Sequence, residues 1–194
     1  MKVNIFIKSL ALNDCIFWFS NYLFLSIASI HISENMDNGS TLTAGVAFGT
    51  YFLFRGLTDL ISPYLHKKFS NKNKIITLII CVCAVSIAFL LLSFVNNAYF
   101  AIMLFAAIGV TLGIYNPIKY TLFSLHLDKS KEEKEWGLID GLGLISIALA
   151  SYFGSYLAET VGFVYLLRIS SLGFLLSTLP LLVMLTSLRK YIVI

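Results

Sequence analysis

Apolar residues fall in six long runs along the chain, 5–30, 43–65, 75–95, 98–123, 137–158 and 162–187, separated by short polar connectors. Each run is near or above the about 20 residues with which a helix crosses ~30 Å of hydrocarbon. None alternates apolar with polar residues as a barrel strand does, so the pattern predicts helices. With connectors this short, residues 1–194 are expected to form a single all-α bundle of six transmembrane helices with no soluble domain. Composition agrees, since 58% of residues are hydrophobic and only 12% charged, far from the balance of a soluble domain.

Charge adds an orientation. Lys2, Lys8, Lys67, Lys68, Lys72, Lys74, Lys129, Lys131, Lys134, Arg189 and Lys190 are eleven of the fourteen basic residues, and all lie at the termini or in connectors 66–74 and 124–136. Connectors 31–42, 96–97 and 159–161 hold none, so both termini are expected on the cytoplasmic face of the cell membrane. The net charge of +4 is then a topology signal that calls for a lipid bilayer and no nucleic acid. Lys2 and Lys8 before an apolar run, with Ser26-Ile27-Ala28 following, also resemble a signal peptide. Asn13 and Asp14 interrupt that run, which is too long for a signal sequence, so a retained first span is expected.

Little here points to covalent chemistry. Cys15, Cys81 and Cys83 lie at membrane depth without accompanying histidines, so no metal site is expected. His31, His66 and His126 sit at span ends on opposite sides and cannot cluster. No catalytic group and no cofactor are expected. Gly109-x-x-x-Gly113 and Gly137-x-x-x-Gly141 permit close helix approach, and Pro63, Pro117 and Pro180 permit kinks.

Polar residues inside the spans carry the functional signal. The first span holds Asn13, Asp14 and Asn21, and the second repeats Tyr51, Arg55, Thr58, Asp59 and Ser62 along one face. Tyr115, Asn116, Lys119 and Tyr120 share a face of the fourth, and Asp140 opens the fifth. The third has no charge, and the sixth only Arg168 near its outer end. Spans one, two, four and five therefore read as the walls of an aqueous cavity, with three and six toward lipid. At about 1.5 Å per residue, Asp14 and Arg55 fall near the midplane, with Asp59, Lys119 and Asp140 nearer the cytoplasm. An unpartnered arginine at mid-membrane costs from ~3 to above 10 kcal/mol, so Arg55 is expected to pair with Asp59 or Asp14. Such a pair either lines a solute path or ties helices together. Lys119 is near enough to the inner surface to snorkel there. Asn13, Asp14, Asn21, Tyr51, Arg55, Asp59, Tyr115 and Asn116 are the candidates for a transport cavity, and Lys67, Lys68, Lys119 and Asp140 for an inner gate.

The stretch "PYLHKKFSNKNKII" (63–76) resembles the loop signature of the major facilitator superfamily, glycine-x-leucine-alanine-aspartate-arginine-x-glycine-arginine-lysine. Leu65 takes the leucine place, Lys68 the first basic place and Lys72 one of the last. Pro63 and Ser70 replace the glycines, and Lys67 replaces the acid that latches the inner gate in that family. The stretches "GVTLGIYNPIKYTLFSLHLDKSKEEKEWGLIDGLG" (109–143) and "GSYLAETVGFVYLL" (154–167) are similar to spans four to six of its bacterial members. The resemblance implies one six-helix half of a twelve-helix transporter, with spans one, two, four and five around the cavity and the substrate site between two halves. The second half is expected from a parallel homodimer or from a separately encoded chain. Function then divides between a secondary transporter, moving a small molecule or ion by alternating access, and a non-transporting membrane assembly protein or fragment of a split transporter gene.

Overall fold

The computed structural model describes the backbone of residues 4–192 and side chains as far as Ser187. The described chain is helical almost throughout: α1 Ile5–Leu25, α2 Ala28–Glu34, α3 Thr41–His66, α4 Asn71–Leu92, α5 Ala98–Leu125, α6 Glu132–Val161 and α7 Phe163–Ile192. Starts are set by short polar side chains that take up free backbone N–H groups. Asn4, Ser40, Ser70 and Asn97 cap α1, α3, α4 and α5, and Ser40 forms a reciprocal capping box with Thr43. The first apolar run, expected as one helix, breaks at Ser26-Ile27 into α1 and the short α2. Gly162, at φ 86°, separates α6 from α7 by a single residue. At the same end, Asp37 N–H donates to the Asn96 carbonyl at 2.7 Å and the Asp37 carbonyl accepts from Ala98 N–H at 3.0 Å, tying two connectors together.

Among the described residues, five segments are long and apolar enough to cross a membrane: Ile5–Glu34, Asn71–Leu92, Ala98–Leu125, Glu132–Val161 and Phe163–Ser187. Helix α3 has the length, at 26 residues, but Arg55 and Asp59 lie within it and its composition falls short of theirs. The chain is thus a multi-pass membrane protein in which the second expected span is the polar one.

Packing runs from neighbour to neighbour. Helix α3 lies on α5, α5 on α4, α4 on α7, α7 on α1, and α1 on α6. The α3–α5 seam is close because of glycine: a Cβ at Gly109 would collide with the Tyr51 carbonyl oxygen, and one at Gly113 would meet the Arg55 carbonyl at 2.6 Å. Pro117 has no N–H for the Gly113 carbonyl one turn earlier, and Ser62 Oγ donates to that carbonyl at 2.8 Å instead. Ser86 and Ser171 join α4 to α7 by reciprocal hydroxyl-to-carbonyl bonds of 2.8 and 2.9 Å. The second glycine pair behaves otherwise, for nothing lies within 4 Å of a Cβ at Gly137 or Gly141. Helices α3 and α6 are the least covered, burying only Ala44, Ala47, Tyr51 and Ser62 on the one and Glu135, Ile139, Gly143, Ala150 and Gly154 on the other.

Candidate functional site

Two adjacent polar residues of α1 meet α5 at the centre of the fold. Asn13 Nδ2 donates to the Ser177 carbonyl of α7 at 2.8 Å, while its Oδ1 accepts from the Tyr115 hydroxyl of α5 at 2.6 Å. Asp14 Oδ1 accepts from Lys119 Nζ, also at 2.6 Å. Lys119 retains 2% and Asp14 6% of their surface, so this is a buried ion pair. The expectation that Lys119 snorkels to the inner surface is therefore corrected. The lysine stem is long enough to cover about one helical turn of ~5.4 Å, and it spends that length reaching inward to a carboxylate. Aromatic faces complete its shell, with Nζ 4.7 Å from the Tyr120 ring centroid, 5.6 Å from that of Trp18 and 5.7 Å from that of Tyr115.

Arg55 does not reach Asp14. Its Nη1 donates to the Tyr51 hydroxyl at 3.1 Å, and its Nε lies 3.9 Å from Asp59 Oδ2, one turn along the same helix. The expected Arg55–Asp59 partnership is present but loose, with side chains 24% and 37% exposed. The α3 stripe also divides: Tyr51 and Ser62 are buried, whereas Arg55 and Asp59 lie at its margin.

The ion pair borders a cleft of about 600 Å³ between α1, α5 and α6. Asp14, Trp18, Lys119, Tyr120, Trp136 and Asp140 line it, together with Gly137, Ile139, Gly143, Leu144 and Ile147. A Cβ at Gly143 would stand 3.8 Å from Asp14 Oδ2 and 3.9 Å from Trp18 Cδ1, ordinary contact distances that put α6 close beside the ion pair at the cleft floor. Asp140 is exposed and takes part in none of the three salt bridges among the described residues.

Of the expected cavity residues, Asp14 borders the cleft directly, and Asn13 and Tyr115 stand behind it, bonded to each other. Asn21 lines a separate small apolar hollow with Tyr51 and Phe24, its Nδ2 buried without a partner. Both amide atoms of Asn116 are likewise buried and unpartnered. The four inner-gate candidates are divided: Lys119 and Asp140 share the cleft, whereas Lys67 lines a pocket of about 180 Å³ between the ends of α3, α4 and α5 with Pro63, His66, Lys74, Pro117, Ile118 and Thr121. Lys68 is exposed, and neither Lys67 nor Lys68 pairs with a described carboxylate.

Sequence reasoning missed the aromatic part of the wall. Trp18 follows Asp14 by one turn of α1, and Trp136 precedes Asp140 by one turn of α6. That four-residue spacing was the available signal, since it puts each indole on the face of a carboxylate. Glu135 was also missed: it is buried, and its Oε2 accepts from Asp128 N–H at 3.0 Å, fastening the α5–α6 connector to the start of α6.

A family model described as Major Facilitator Superfamily matches residues 10–192 of the chain. No curated protein and no solved structure matches it.

Proposed function

The chain belongs to the major facilitator superfamily, a family of transporters, and we propose that it acts as a secondary transporter whose solute path runs through the α1–α5–α6 cleft. The observation that carries this is the buried Asp14–Lys119 pair at the cleft wall. Ionisable groups within a membrane are costly and characteristically serve a pathway, and a cleft of this volume suits a small solute. Both termini lie in the cytoplasm, α3 crosses the membrane as the second of six spans, and the cleft opens toward the basic connectors.

A second copy of the chain, related by a twofold axis along the membrane normal, supplies the opposite wall. Supporting this are Gly45, Gly49 and Gly56 on α3 and Gly137 and Gly141 on α6, where an added Cβ would meet no atom of the described residues within 4 Å. Glycines with that spacing elsewhere in the chain take a helix backbone against them, and these open ones sit on the two least covered helices.

Alternating access is tested by labelling. With Cys15, Cys81 and Cys83 changed to alanine, Ile147→Cys is expected to react with an impermeant maleimide in both right-side-out and inverted vesicles. Reaction from a single face would reject alternating access and leave the membrane assembly role. Cross-linking in membranes is expected to give a species of twice the 21.6 kDa chain mass. A product containing a different six-helix protein would identify a separately encoded half instead.

A further inference from the structure

The charges and rings of the cleft define a class of ligand. Lys119, the only lysine or arginine among its described lining residues, is buried against Asp14. An anion would have to share that ammonium with the Asp14 carboxylate already bonded to it, and would be repelled by that carboxylate and by Asp140 beside it. The ionised group left over is Asp140, exposed and outside the salt bridges of the described residues. The cleft thus presents one unspent negative charge.

Beside it stand π faces. Trp136 lies one turn before Asp140 on α6, and its ring centroid is 6.2 Å from that of Tyr120 across the cleft, the planes inclined at 43°. The Trp18 ring centroid is 5.6 Å from Lys119 Nζ and that of Tyr120 4.7 Å, so the lysine itself shows that this wall accepts a cation. Desolvated cations over aromatic rings are stabilised by the ring quadrupole, most strongly over indole. Ile139, Leu144 and Ile147 supply the apolar remainder.

We infer that the cleft binds an organic cation, a singly charged ammonium group on an aromatic or apolar body, with the charge between Asp140 and the Tyr120–Trp136 pair. As a substrate class this rests on the transport reading; as a binding property it is measured without it.

The protein has two tryptophans, and both line the cleft, so intrinsic fluorescence reports its occupancy. The full chain in detergent is titrated with benzyltrimethylammonium and, in parallel, with benzenesulfonate, an anion of similar size. A saturable change in tryptophan emission is expected with the ammonium compound only. Asp140→Asn, at an exposed position that folding does not need, should weaken that binding about tenfold, the loss of one Coulomb partner in a half-hydrated site. Tyr120→Leu should weaken it as well, while a double replacement of Lys67 and Lys68 by glutamine, outside the cleft, should not. Saturable binding of benzenesulfonate instead, binding unchanged in Asp140→Asn, or no saturable response to the ammonium compound would each overturn the inference. Binding as expected together with labelling of Ile147→Cys from a single face would uphold the cation site and reject transport; the reverse pattern would uphold transport and reject this substrate class.

Discussion

Removing one partner of the Asp14–Lys119 pair should destabilise the protein far more than removing both. At 2.6 Å, and with an effective dielectric constant of ~20, the attraction between the two charges is about 6 kcal/mol before desolvation is subtracted. Most of that offsets the cost of holding two ions away from water. The net value of the intact pair against well-packed apolar residues is therefore near zero, whereas a stranded partner costs ~3–5 kcal/mol. Lys119→Met leaves the Asp14 carboxylate alone. Asp14→Leu leaves the ammonium among Trp18, Tyr115 and Tyr120, whose π faces return ~0.5–2 kcal/mol, so this single change should be the milder one. The double replacement should unfold within ~1 kcal/mol of the parent, giving a coupling of at least ~2 kcal/mol. Unfolding in mixed micelles of increasing dodecyl sulfate content, followed by helical circular dichroism, measures all four proteins. Single losses that simply add in the double would refute the account, since independent sites cannot share a stranded charge.

In helices α5 and α6, glycine should be indispensable where a backbone is already against it: Gly109→Ala and Gly154→Ala should lower thermal stability, because their Cβ atoms would strike the carbonyls of Tyr51 and Leu23. Gly45→Leu and Gly49→Leu should leave the stability of the single chain unchanged but abolish the cross-linked dimer. Ser62→Ala should cost ~0.6–1.7 kcal/mol by leaving the Gly113 carbonyl without a donor, and Pro117→Ala should restore most of it by returning a backbone N–H, as read by melting of the two variants and their double. Cysteines at Asn38 and Ser130 should label from opposite faces of the membrane, Ser130 from the cytoplasm; labelling of both from one side would overturn the six-span topology. Lys67, Lys68, Lys72 and Lys74 should each tolerate glutamine singly, each contributing about 1 kcal/mol to attraction for anionic lipid, with uptake and expression as the checks.

The helices were legible because the apolar runs are long, but their relations were not. Ser26-Ile27 breaks the first run without glycine or proline to announce it. Arg55 and Asp59, four residues apart, could be read as neighbours on one helix, yet the choice of Lys119 as the partner of Asp14 depends on which helices adjoin. Depth estimates follow the backbone, and a lysine can act a full turn from its Cα, which is why Lys119 was placed at the surface. Gly109-x-x-x-Gly113 and Gly137-x-x-x-Gly141 share one spacing, and only the packed chain tells the occupied pair from the open one. Trp18 and Trp136 could be read as one turn from Asp14 and Asp140, but only the packed chain brings both indoles onto one cleft.

Asn13, finally, sets the mechanics of the bundle. One amide holds three helices: α1 carries it, α7 receives its N–H and α5 delivers the Tyr115 hydroxyl, all one residue from the buried charges. Those helices cannot slide past one another without breaking two bonds at a place where water cannot replace them. Among the described residues α6 has no such hydrogen-bonded tie to another helix; it rests on α1, with Gly154 close against Leu23, and only lightly on α7. On the transport reading proposed above, a widening or narrowing of the cleft is expected as a swing of α6 against that frame, with Trp136 and Asp140 on the moving arm and Lys119 and Asp14 on the stationary one.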